Sequence, residues 1–134
     1  MPFDNLPEPS QPSREVQLLR LARDSIGRQR FWTQGRWMTP DGRMCAVMAI
    51  RQVCTHCLDR TERRQMARRL IWLVQREMPL GRRIMMCWMT SRQRLIWFND
   101  SRNTTHRQVM GLFNLAIERL EWREMSAVVY QPGV

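Results

Sequence analysis

Apolar positions along the chain recur mostly at intervals of three and four, the period of a helix with one buried face. Val16, Leu19, Ala22 and Ile26 follow such a path, with Ser13 placed to cap it and Gly27 to stop it. This predicts a helix over about 14–26. "RMCAVMAIRQVC" reads as a second, buried helix over about 44–55, whose small residues let neighbours approach; a strand there stays open as the alternative. A third helix, about 62–78, starts from Asp59 or Thr61 and ends before Pro79 and Gly81. Placed at 100° intervals, its Met66, Ala67, Leu70, Ile71, Leu73, Val74 and Met78 form one apolar face. Arg64, Arg68, Arg69 and Arg76 lie opposite, with Trp72 in their midst. Thr105 and Gln108 form a capping-box pair before a last helix. Val109, Leu112, Phe113, Ala116, Ile117 and Leu120 then make its apolar stripe to about residue 123.

Between these helices the pattern loses its period. "FWTQGRWM" fits a short strand or an irregular loop packing Trp32 and Trp37, and Pro40-Asp41-Gly42 marks a turn. Ser91 is placed to cap a short helix carrying Leu95, Ile96 and Phe98, while Ile84 to Met89 fits helix or strand. Met85, Met86, Cys87, Trp88 and Met89 read as core, with an adaptable Met-rich binding patch as the alternative. Asn99 and Asp100 end an apolar run, and their short side chains suit an Asx-type turn with nearby backbone N–H groups. Four of the seven prolines fall in residues 1–13, which read as a mobile arm, and 126–134 as a tail that adds a strand or trails. The expectation is a mainly α fold: one compact bundle of about four to five helices over 14–125, with a hairpin-like or irregular segment around 30–43.

Charge changes this picture most. All 22 basic residues are Arg, set against 12 acidic ones, for a formal net charge of +10. Guanidinium stays charged and grips phosphate or carboxylate with two parallel hydrogen bonds. An anionic partner follows: nucleic acid first, an acidic protein surface second. Arg60, Arg63, Arg64, Arg68, Arg69, Arg76, Arg82 and Arg83 are the candidate contacts, extended by Arg92 and Arg94, with Trp72 adding a stacking surface. The small size and the Met and Trp content also fit a protein-binding effector or inhibitor, encoded by a mobile element or phage and aimed at a host protein.

Other chemistry finds less support. No apolar run approaches the ~20 residues that span a bilayer, so the expectation is a cytoplasmic protein without a membrane partner. Cys54-Thr55-His56-Cys57 has the C-x2-C spacing of a metal or redox site, and Cys45, Cys87, His56 or His106 would have to complete a zinc set. No second such pair exists, so buried thiols are the favoured reading and no cofactor is expected. Asp100, His106 and Cys45 or Cys87 are the residues an enzyme would recruit. No nucleophile elbow, phosphate loop or H-E-x-x-H accompanies them, and His106 in a first helical turn reads as exposed. The expected function is therefore non-catalytic binding.

"FWTQGRWMTPDGRMCAVMAI" and "LIWFNDSRNTTHRQVMGLFNLAIERL" together resemble a family of small bacterial and phage domains of undefined function. Its signatures are W-x-Q-G, then D-G-R-x-C-A-x-x-A-I, then W-N-D before a terminal helix. The resemblance spans about residues 16–120 and implies a compact, mostly helical domain, with no activity attached. Two positions depart from it. Phe98 precedes Asn99-Asp100, with Trp97 one place earlier than the family's Trp, and Met48 stands where the family usually has Gly.

Overall fold

Ser13 opens α1 (Arg14–Ser25): its hydroxyl accepts the Val16 N–H at 3.3 Å, satisfying one of the donors that a helix start leaves over. The computed structural model describes residues 11–129. Cys45 does the same for α2 (Ala46–Cys57) with its Sγ, 3.5 Å from the Met48 nitrogen. α3 (Arg60–Gln75) starts directly after Asp59, two residues earlier than the apolar pattern suggests. α4 (Leu80–Met85) is a short extra helix behind Pro79. α5 (Ser91–Asp100) and α6 (His106–Val129) complete the order.

Both of the last helices begin with reciprocal caps. Thr105 and Gln108 exchange bonds as the spacing predicts, at 2.9 and 3.2 Å. At α5 the cap is Thr90 with Gln93, rather than Ser91. A Gln three residues on lets Thr90 form a two-way cap, and Ser91 becomes the first helical residue.

α1 packs on α2 and α6, and α3 packs on α2 and α5. Ser13 lies by Glu124 and Ile26 by His106, so α1 and α6 run antiparallel. Arg20 pairs with Glu121, and Arg23 Nη1 donates to Asn114 Oδ1 at 3.2 Å along that seam. Leu19, Ile50, Leu70, Leu73, Leu95 and Phe113 meet at the centre, each fully buried. Burial of such a side chain stabilises the fold by roughly 1.5–3 kcal/mol. The fold is thus mainly α, as expected, but with six helices among the described residues instead of four or five.

The segment before α2 is irregular. A single 3-10 turn (Gln29–Phe31) precedes isolated bridges from Met44 to Trp32 and Met38, and no regular strand forms among the described residues. Its tip is the expected turn: the Gly42 N–H donates to the Thr39 carbonyl at 2.9 Å, and Gly42 takes φ 88°.

This loop is locked to α5 by Asn99, which is fully buried. Asn99 Oδ1 accepts Trp32 Nε1–H at 2.8 Å and the Ala46 N–H at 3.1 Å. Its Nδ2 donates to the Thr33 carbonyl at 3.0 Å and to Asp100 Oδ1 at 2.9 Å. Asp100 Oδ1 also accepts the Gly35 N–H at 2.9 Å, and Gln34 Nε2 donates to the carbonyls of Asn99, Ser101 and Thr104. The pair is therefore no local Asx turn. Asn99 and Asp100 are the last residues of a helix turned towards the Trp32 loop, and their bonds span the chain.

Other expectations shift too. Met89 is buried, but Met85 and Trp88 are 78% and 76% exposed, because α4 is too short to tuck them under a neighbour. Ser126 to Val129 continue α6, and Pro12 and Ser13 of the expected arm are tied to Gln17 and Glu124. The rest of that arm and tail lies outside the described residues. No helix of the described residues is long and apolar enough to cross a membrane.

Candidate functional site

α2, α3 and the start of α5 enclose a groove of about 880 Å³. Its apolar lining is Cys54, Ala67, Ile71 and the Trp72 ring. Its rim is Arg51 from α2, Arg63, Arg64 and Arg68 from α3, and Arg92 from α5, and no carboxylate lines it. None of these five arginines has a carboxylate within 4.0 Å among the described residues. Thr90 and Ser91 bring the first turn of α5 to the same edge, with its backbone N–H groups and the positive end of the helix dipole.

Three contacts fix the rim. Trp37 carries both flanking cations: the Arg51 and Arg92 guanidinium carbons lie 5.1 and 4.5 Å from its ring centroid. Such cation–π contacts hold two long side chains from different helices in one place. Arg63 Nε donates to the Leu58 carbonyl at 2.8 Å, which anchors it across the α2–α3 junction.

Trp72 is 44% exposed. Arg64, Arg68, Trp72 and Arg76 stand at successive i, i+4 positions on α3, so the ring sits within a file of guanidinium groups. The Arg76 Cζ is 5.0 Å from the Trp72 centroid. Arg76 Nε and Nη2 are buried and have no hydrogen-bond partner among the described residues. Burial lowers the pKa of Arg76, and Arg123, Arg119 and Arg69 push in the same direction against Glu77. Glu77 is itself held by Arg119, whose Nε lies 2.9 Å from both carboxylate oxygens.

The remaining candidates from the sequence part company with the groove. Arg69, one residue and 100° from Arg68, turns to α1 and pairs with Glu15 at 2.7 Å. Arg82 stacks on Phe98 and donates to Thr104 Oγ1 at 3.0 Å; Arg83 Nη1 donates to the Arg76 carbonyl at 2.9 Å. Arg94 is spent on the Met86 and Cys87 carbonyls and Gln75 Oε1, bracing the turn after α4 against α3 and α5. Arg60 is exposed at the start of α3 and does not line the groove. Arg51 and Trp37 are the additions sequence reasoning missed. Arg51 is the one charged residue in the apolar α2, a signal that marks a solvent-facing position but not its neighbours.

The catalytic and metal candidates do not assemble. His106 is half-buried rather than exposed, its Nε2 2.6 Å from the Ile26 carbonyl and its ring centroid 5.6 Å from that of Trp32. That ties the end of α1 to the start of α6. All four cysteines are free; Cys45 and Cys54 are buried, and Cys57 and Cys87 are exposed. Burial pushes the Cys45 thiol up and the Cys54 thiol up to about 11, which disfavours the thiolate that a ligand or nucleophile needs. Among the described residues no group of three or more His, Cys, Asp and Glu comes together as a metal set.

A family model described as "Family of unknown function (DUF6197)" matches residues 10–119. No curated protein and no solved structure matches the chain.

Proposed function

The chain belongs to the DUF6197 family, and we propose that it is a non-catalytic binding protein that engages nucleic acid through the groove between α2, α3 and α5. One observation carries this reading: five arginines from three helices converge on one concave surface without a carboxylate among them. Bringing like charges together raises the energy of the free protein unless an anion joins them. Side chains that served solubility alone would gain nothing from convergence. Guanidinium suits phosphate, the first turn of α5 adds N–H groups, and Trp72 supplies an aromatic face. Of the residues named from the sequence, Arg63, Arg64, Arg68, Trp72 and Arg92 belong to this surface, and Arg51 joins them. The cytoplasm is the compartment in which we place this activity.

A salt series decides it. Fluorescence anisotropy with labelled DNA and RNA should give a log affinity that falls steeply and linearly with log salt concentration. No binding to either polymer at low salt would sink the proposal.

A protein partner is the second reading. It draws on the exposed Leu80, Ile84, Met85 and Trp88 of α4 and the turn after it, an apolar surface that lies outside the groove. An effector or inhibitor would use that surface. A protein retained from nuclease-treated lysate by the wild type and lost by Ile84→Asp would favour this reading. Retention by both would count against it.

A further inference from the structure

We infer that the nucleic acid taken by this groove is single-stranded, with an unpaired base stacked on Trp72 and the flanking phosphates on the groove arginines beside it. This rests on the reading above and narrows it. A duplex keeps the faces of its bases stacked on one another and shows a protein only their edges and its backbone. Reading it takes an element that projects into a groove of the duplex. Here no element projects from the groove between α2, α3 and α5; its lining instead offers an open aromatic ring, Trp72 at 44% exposure, beside Arg64 and Arg68. A lining that combines Ala67, Ile71 and Trp72 with guanidinium groups matches a nucleotide's own division into an apolar base and a charged phosphate. The volume of about 880 Å³ lies in the range of pockets that enclose a small ligand.

Arg64 and Arg68, eight and four residues before Trp72 on α3, line the same groove as the ring, and Arg92 reaches it from α5. These guanidinium groups supply the phosphate contacts beside the stacked base. Single strands are bound by this combination of a basic track and an aromatic platform, without dependence on sequence.

The test compares labelled dT12 and rU12 strands with a 12-base-pair duplex, for wild type, Trp72→Ala and Trp72→Phe. The single strands should bind the wild type about tenfold or more tighter than the duplex. Trp72→Ala should lose about tenfold on the strands and little on the duplex, and Trp72→Phe should keep most of the strand affinity. Equal wild-type affinity for strand and duplex would overturn the inference, as would strand binding indifferent to Trp72→Ala; either leaves the groove as a phosphate-binding surface. Failure of all three probes at low salt would remove the groove reading itself, and this inference with it.

Discussion

Trp32 Nε1 donates to Asn99 Oδ1 at 2.8 Å across 67 positions of sequence, and the same oxygen accepts the first N–H of α2. The four bonding positions of one buried amide thereby join the irregular loop, the start of α2 and the end of α5. α2 and α5 are two of the three walls of the groove. This amide therefore sets their relative position.

Asn99→Ala should cost the fold about 3 kcal/mol or more, because it strands the Trp32 and Ala46 donors and the Thr33 carbonyl in the interior. Asp100→Ala should cost about 1 kcal/mol, since its Gly35 partner is exposed to water and Asn99 Nδ2 keeps the Thr33 carbonyl as acceptor. Urea unfolding midpoints of the two variants check the difference. Equal, small effects would contradict the assigned role of Asn99.

Trp37 positions the rim without lining it. Trp37→Ala should release the Arg51 and Arg92 side chains and weaken nucleic-acid binding several-fold, with the salt dependence kept because no charge is removed. Trp37→Phe should restore most of the affinity. Anisotropy titrations measure both, and an unchanged affinity for Trp37→Ala would show that the two arginines need no such support.

The cysteines separate by reactivity and by pH. Cys57 and Cys87 should alkylate readily in the folded protein, while Cys45 and Cys54 should react only on unfolding. The folded Cys54 pKa, at about 11, lies above that of an ordinary thiol. Its contribution to stability is therefore complete below the ordinary thiol range and is lost as pH rises through about 11. Cys54→Ala should flatten that alkaline decline. Thermal melts at neutral and alkaline pH, compared between wild type and variant, read the effect directly.

Much of this architecture is legible along the chain, and the reason is locality. α1, α2 and α6 declare themselves through apolar spacing and through caps whose partners lie three residues away, as with Ser13 to Val16 and Thr105 to Gln108. α3 does so through its opposed apolar and arginine faces. Asn99 could not be read the same way, because its partners lie 53 to 67 positions off and short polar residues after an apolar run normally mean a turn. The groove was half visible. Arg64, Arg68 and Trp72 share a helix face that a wheel shows, whereas Arg51 and Arg92 arrive from other helices. Arg69 left the set because its neighbour across the seam is Glu15, which only the packing of α1 on α3 reveals. Arg82 and Arg94 show that guanidinium groups also serve as internal braces, and sequence alone does not separate the two uses.

The convergent arginines, rather than the chain's overall charge, are the proposed nucleic-acid contacts. The most direct measurement is the slope of log affinity against log salt for three proteins: wild type, Arg68→Ala/Arg92→Ala, and Arg28→Ala/Arg107→Ala. All four positions are exposed, but only Arg68 and Arg92 line the groove, so the two variants lose the same charge from different places. The groove variant should bind more weakly with a slope shallower by about one unit for each arginine removed, while the control keeps the wild-type slope. Equal losses in the two variants would contradict this assignment and would make the binding a property of net charge alone.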